Sequence, residues 1–146
     1  MGRRLKQAAV VFVVIFAAAQ LIRPERANPP TDPSRTIQAQ VGTASGLVAV
    51  LDRSCRDCHS NGTMWPWYTH IAPASWLMAS AVTKGRQAVN FSEWAGYSPE
   101  QQRMLLAVSC DDATSDKMPG PYTRLRPETQ LSAQDVETIC AAARQR

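Results

Sequence analysis

Hydrophobic and polar positions divide the chain into an apolar opening, a proline-rich stretch and a series of short amphipathic segments. Residues 8–22 are apolar apart from Gln20 and follow a basic start, a pattern typical of a targeting segment. The run is long for a signal-peptide core of about 7–15 residues and short for a membrane span of about 20. We expect residues 1–22 to form an uncleaved N-terminal membrane anchor that exports the rest of the chain. Cleavage near Ala17-Ala18-Ala19 is the alternative.

Prolines and polar residues mark the next stretch, residues 23–40. Proline fixes the backbone and removes a hydrogen-bond donor, so the segment Asn28-Pro29-Pro30-Thr31-Asp32-Pro33 suits neither a helix nor a central strand. We therefore predict an extended linker that holds a domain of residues 41–146 away from the membrane.

Helical spacing of apolar residues recurs through residues 41–146. One predicted helix begins near Ser45 and runs into Cys55. A second begins at Pro73, a residue suited to a first helical turn, and is expected to end at Gly85.

A third predicted helix carries an N-terminal capping pattern in Ser98 and Gln101, and should end near Cys110. Its expected buried face consists of Met104, Leu105 and Val108.

The last predicted helix begins at Ser132, with Asp135 as the capping partner. Alternation typical of strands is absent from the sequence. The fold class predicted is therefore all-α, a small helical domain with long loops that follows an N-terminal membrane segment.

Composition and charge narrow the classes of protein. With 146 residues and 45% hydrophobic content, the chain suits one folded domain with a tail. The net charge is +4, but Arg3, Arg4 and Lys6 supply three of these charges before the apolar run. Since no basic stretch with interleaved aromatics follows, the sequence gives no indication of nucleic-acid binding.

The chemistry of the chain centres on one pentapeptide, Cys55-Arg56-Asp57-Cys58-His59. Two cysteines separated by two residues and followed by histidine form the attachment motif of c-type haem. Each thiol adds to one porphyrin vinyl group as a thioether, and the histidine that follows binds the iron. The sequence therefore predicts one covalently attached haem c, held by Cys55 and Cys58, with His59 as an axial ligand.

Two other interpretations of the pentapeptide fit the sequence less well. A thioredoxin-like redox pair would require a βαβ pattern, and none is present. A zinc site would need a fourth ligand, and three ligands within five residues suit a tetrahedral site poorly.

The second axial ligand is predicted to be Met118, in a loop stiffened by Pro119. A thioether opposite histidine raises the reduction potential of haem iron. His70 is the alternative and would give a bis-histidine haem of lower potential. Met78 and Met104 occupy helical positions and are interpreted as core residues.

Aromatic and basic side chains are candidates for the surroundings of the porphyrin. Trp65, Trp67 and Tyr68 could enclose it, with core packing as the alternative. Arg86 could pair with a propionate, or could be a solvated surface residue. Further aromatics with the same two interpretations are Trp76, Phe91, Trp94 and Tyr122.

The remaining cysteines, Cys110 and Cys140, are predicted to form a disulfide that closes the loop carrying Met118. An exported protein meets an oxidising environment, which disfavours the alternative of free buried thiols.

The soluble part of the sequence resembles a bacterial haem-binding domain family that is cytochrome c-like and often membrane-anchored. The resemblance covers about residues 20–143. It lies in Leu21-Ile22-Arg23-Pro24-Glu25-Arg26, Asn28-Pro29-Pro30, the pentapeptide with Ser60-Asn61-Gly62-Thr63, Trp65-Pro66-Trp67-Tyr68, Ile71-Ala72-Pro73, Ser75-Trp76, Gly85-Arg86, Asn90-Phe91-Ser92-Glu93-Trp94 and Met118-Pro119. It implies covalent haem at Cys55 and Cys58 and ligation by His59, and it favours Met118. His70 departs from the family pattern, so the bis-histidine alternative stays open.

These observations together predict a monohaem electron carrier tethered to the bacterial inner membrane, with its domain in the periplasm. Its partner would be a redox protein. With both axial positions filled we expect no catalysis. The alternative is a haem-based sensor or a peroxidase-like enzyme with an open or displaceable sixth ligand.

Overall fold

The computed structural model describes residues 2–42 and 45–145. These residues form seven α-helices joined by short 3₁₀ turns, and none of them belongs to a strand. The all-helical prediction is therefore confirmed. The helices are α1 (Gly2–Ala19), α2 (Ile37–Val41), α3 (Gly46–Ser54), α4 (Arg56–His59), α5 (Ala74–Ala88), α6 (Pro99–Thr114) and α7 (Ala133–Gln145).

The prediction of an N-terminal membrane segment is wrong. Helix α1 has 18 residues, and its first turns contain Arg3, Arg4 and Lys6. A membrane span needs about 20 predominantly apolar residues, and the three cations leave α1 well short of that. Across residues 2–42 and 45–145, no helix combines the length and the apolar character that crossing a membrane requires.

The segment that follows α1 lies along the domain, where the sequence indicated a linker. We call residues 20–30 the strap. Its hydrogen bonds, 2.8–2.9 Å long, join Gln20 to Ala72, Ile22 to Trp76, Arg26 to Thr69 and Asn28 to Thr63. Because all four partners lie between α4 and the first turn of α5, the strap belongs to the folded surface of the domain.

Arg86 fixes the strap to α5. Its guanidinium donates to the carbonyl oxygens of Ser60 at 2.8 Å and Ala27 at 2.9 Å. It also donates to Asn28 Oδ1 at 3.0 Å and to Thr63 Oγ1 at 2.9 Å. One planar side chain thus joins the strap, the end of α4 and the loop after it.

Replacing Arg86 with alanine is expected to lower the free energy of unfolding by about 2 kcal/mol, because the carbonyl acceptors it serves lose a charged donor. Arg86→Lys should recover little of this, since an ammonium group does not span four acceptors in one plane. Urea unfolding followed by circular dichroism measures both. Arg103→Ala, at an exposed position on α6, is the control. If Arg86→Lys is as stable as wild type, donation by Arg86 to all four acceptors does not stabilise the fold as expected.

The hydrophobic core lies where α3, α6 and α7 meet the 3₁₀ turn Phe91–Gly96. Its most deeply buried side chains are Ile37, Leu51, Trp94, Leu106 and Ile139. Both predicted capping interactions are present at the starts of α6 and α7.

Two predicted details of the helices are wrong. Helix α5 does not end at Gly85 but continues to Ala88. Helix α6 runs past Cys110 to Thr114, and its buried residues are Leu106 and Ala113, whereas Met104 and Val108 are exposed. Met104 is therefore not a core residue, while Met78 is buried as expected.

Gly85 lies inside α5 because the helix passes very close to α4. A Cβ atom at this position would be 2.4 Å from the carbonyl oxygen of Cys58 and 2.9 Å from its carbonyl carbon. Only a residue without a side chain allows this approach. The backbone of α5 thus supports the pentapeptide directly.

Candidate cofactor site

The pentapeptide forms a helical turn at the end of α3. The first helix ends at Ser54, the backbone bends at Cys55, and α4 then continues through His59. The amide groups of Cys58 and His59 donate to the carbonyl oxygen of Cys55 at 3.2 and 3.0 Å. Residues three and four apart share a helix face, so both thiols and the imidazole are presented together.

An apolar cavity of about 150 Å³ opens beside this face. Cys55, Cys58, His59 and Met118 all lie on its wall, and the structure thus brings together four of the predicted site residues. Its apolar lining includes Leu51, Val89, Phe91, Leu105, Val108, Leu131 and Ile139.

The cavity explains the apolar face of α6. Leu105 and Val108 were expected to be buried against neighbouring helices, and they line the cavity instead. Val108 remains half exposed in this position. An apolar ligand in the cavity would cover it.

His59 is oriented by the backbone. Its Nδ1 lies 3.2 Å from the carbonyl oxygen of Val89, which fixes Nδ1 as the protonated nitrogen and leaves Nε2 with a free lone pair. Burial lowers the pKa of His59, although the carbonyls of Val89 and Gly85 oppose the shift. A neutral imidazole held by a backbone carbonyl is the usual form of a metal-binding histidine.

The two cysteines of the pentapeptide carry free thiols within the described part of the chain. Burial raises the pKa of Cys55 to about 12 and that of Cys58 to about 11. Thiol–disulfide exchange requires a thiolate, which such thiols do not supply near neutral pH. The folded site therefore does not suit a thioredoxin-like reaction.

The zinc interpretation lacks a set of ligands. Among residues 2–42 and 45–145, no group of three or more His, Cys, Asp or Glu side chains is placed to hold a metal ion. Two thiols, one imidazole and one thioether on the wall of an apolar cavity are instead groups that suit a porphyrin and its iron.

Ser54 adds a polar feature to the cavity wall. Its buried Oγ has no hydrogen-bond partner among the described residues. A buried hydroxyl is normally satisfied, so a polar group on the ligand would supply the missing partner. A porphyrin carries such groups in its propionates.

Met118 follows the end of α6, and α6 fixes its backbone. The amides of Lys117 and Met118 both donate to the carbonyl oxygen of Asp112, at 3.0 and 3.2 Å. The Lys117 ammonium also lies 2.9 Å from the Asp112 carboxylate. The side chain of Met118 is 44% exposed at the cavity mouth.

A disulfide joins Cys110 on α6 to Cys140 on α7, the pairing that the sequence predicts. It closes a loop of the chain that contains Met118, with a sequence separation of 30 residues. The disulfide therefore anchors the helix from which the Met118 loop begins.

A second connection to this loop was missed in the sequence. The Asp57 Oδ2 atom accepts a hydrogen bond from the Tyr122 hydroxyl at 2.9 Å and contacts Arg126 Nη1 at 3.4 Å. Its Oδ1 accepts the amide of Met64 at 2.9 Å. Burial and the Asp57 charge raise the pKa of Tyr122, so the phenol stays a proton donor. The partners are 65 and 69 residues apart, and no local pattern indicates such a pair.

Several predicted residues lie away from the cavity wall, as far as the described residues form it. His70 lies beside the strap, near Gln20 and Arg26. Trp67 is 75% exposed, and Trp65 donates to Asn28 in the strap. The structure therefore does not bring these side chains to His59.

Arg86 and Tyr68 are also placed elsewhere. The guanidinium of Arg86 serves the strap and the loop after α4. The hydroxyl of Tyr68 is buried and has no hydrogen-bond partner within the described residues. Of the other aromatics, Phe91 and Tyr122 line the cavity, whereas Trp94 belongs to the core.

The fold and the site together define a small helical protein with an apolar cavity beside the pentapeptide. A family model described as haem-binding domain matches residues 14–145, so the chain belongs to the haem-binding domain family. The matched range includes the strap, the pentapeptide and the Met118 loop. No curated protein and no solved structure matches the chain.

Proposed function

We propose that this haem-binding chain carries one haem c, attached through Cys55 and Cys58, and transfers single electrons to and from a redox partner protein. His59 and Met118 would be the axial ligands. The observation that carries the proposal is the gathering of these four side chains on one apolar cavity. When bound, haem supplies a one-electron change at its iron.

The residues of the chain have separate roles in this proposal. Cys55 and Cys58 would hold the porphyrin covalently through their sulfur atoms. His59 would offer Nε2 to the iron, because its Nδ1–H donates a hydrogen bond to the carbonyl oxygen of Val89. Met118 would offer its thioether from the loop that follows α6. The apolar lining of the cavity would reduce the contact of a bound haem with water, which together with a thioether ligand would favour a high reduction potential.

We further propose that the domain works in an exported, oxidising compartment, the bacterial periplasm. The Cys110–Cys140 disulfide supports this location, because disulfides persist outside the reducing cytoplasm.

The test uses the full chain expressed with periplasmic haem maturation. A pyridine haemochrome assay should find one covalently attached haem in wild type. The Cys55→Ala/Cys58→Ala variant, which can form neither thioether, should contain no covalently attached haem. Met118→Ala should retain covalent haem but lose the thioether-to-iron absorption band. Its ferrous form should then bind CO readily, because the sixth position is open. Wild type without covalent haem would overturn the proposal.

A sensor or peroxidase-like function is the second candidate. The half-exposed position of Met118 on a loop supports it, because such a ligand could be displaced by a small molecule. Rapid CO binding by ferrous wild type, with a Met118→Ala spectrum identical to wild type, would favour this function over electron transfer.

A further inference from the structure

We propose that Asp57 is a positioning residue that holds the Met118 loop over the cavity through Tyr122 and Arg126. This inference rests on the proposed function, in which Met118 is an axial ligand. We call the three residues the latch. Asp57 directly precedes Cys58, so the latch ties the loop to the attachment site itself.

The latch holds the part of the loop that follows Met118. Upstream of Met118, the disulfide and the Asp112 carbonyl fix the chain to α6. Downstream, the backbone turns at Gly120, whose φ is +58°. Tyr122 lies two residues after Gly120, and its hydroxyl donates a hydrogen bond to Asp57 at 2.9 Å. The loop is therefore held on both sides of Met118.

The surroundings of the latch favour a firm contact. The side chains of Asp57 and Arg126 are only 13% and 18% exposed, so solvent screens their attraction weakly. Arg126 is also paired with Glu128 on its outer side. The Asp57 carboxylate has a further donor in the Met64 amide, which fixes its rotamer. A carboxylate with three donors is a rigid anchor for the loop.

The closing experiment compares Tyr122→Phe and Asp57→Asn in the haem-loaded full chain. Tyr122→Phe keeps the ring on the cavity wall and removes only the hydroxyl. We expect unchanged covalent haem content and about a tenfold larger fraction of protein with Met118 off the iron, because a hydrogen bond to a charged acceptor is lost. The readouts are the thioether-to-iron band and the rate of CO binding to ferrous protein.

Glu128→Gln is the matched control, since Glu128 contacts Arg126 but not Asp57. It should leave both readouts at wild-type values. Melting temperatures of all variants separate a general loss of stability from a change at the iron. If Tyr122→Phe lowers the melting temperature but binds CO at the wild-type rate, the latch only stabilises the fold. That result would overturn the inference.

The proposed function and the latch fail in different ways. If Met118→Ala changes the spectrum while Tyr122→Phe and Asp57→Asn do not, the latch inference is wrong and the electron carrier stands. If Met118→Ala has no effect, Met118 is not a ligand, and the latch inference falls together with the assigned ligand.

Discussion

Gly85→Ala is expected to lower the free energy of unfolding by about 3 kcal/mol, the upper range for forcing extra volume into a packed site. The new Cβ would lie 2.4 Å from the carbonyl oxygen of Cys58. That oxygen belongs to backbone within a helical turn, so α5 must move away from α4. We also expect less covalent haem per protein, because the movement displaces Cys58.

Gly46→Ala is the matched control for this substitution. Gly46 begins α3, and a Cβ there would meet only the Thr138 methyl group, at 3.7 Å. The control should be neutral or more stable by up to about 1 kcal/mol, since alanine favours a helix. Urea unfolding measures both variants. A Gly85→Ala protein as stable as Gly46→Ala would show that α5 and α4 are not in tight contact.

Loss of the Cys110–Cys140 disulfide should cost about 3–4 kcal/mol, the loop-closure value for a separation near 30 residues. The Cys110→Ala/Cys140→Ala variant avoids leaving one unpaired thiol. It should unfold at a lower temperature than oxidised wild type and be insensitive to reductant. Because the disulfide anchors α6, the variant should also bind CO faster in its ferrous form.

Wild type provides the control for the disulfide. Reduction should bring its melting temperature close to that of the double variant, while haem thioethers, which are not reducible in this way, remain intact. If the disulfide is fully reduced and the melting temperature of wild type stays the same, the expected stabilisation is contradicted.

Local patterns were sufficient for much of the fold. Ser45 and Ser98 precede helices that begin where the sequence indicated, since a capping side chain acts on amides two or three residues away. The sequence also singled out Cys55, Cys58, His59 and Met118, which the structure places on the wall of one cavity. The pentapeptide carries a recognisable chemical pattern, and Met118 stood outside any apolar stripe.

Features that depend on distant residues were not predictable from the sequence. Helix α5 packs on α4 at Gly85, a contact that hydrophobic periodicity does not detect. Val108 looked like a core position because a cavity wall and a core require the same apolar side chains. Asp57 and Tyr122 meet only after the whole chain has folded.

The strap also sets where the chain may be cut without loss of the fold. Cleavage after Ala19 would remove α1 and leave Gln20, Ile22, Arg26 and Asn28 with their partners. Cleavage after Arg26, only seven residues later in the sequence, would separate three of those four contacts from the domain. Loss of residues 1–19 is therefore expected to leave the domain folded, whereas trypsin cleavage after Arg26 is expected to destabilise it.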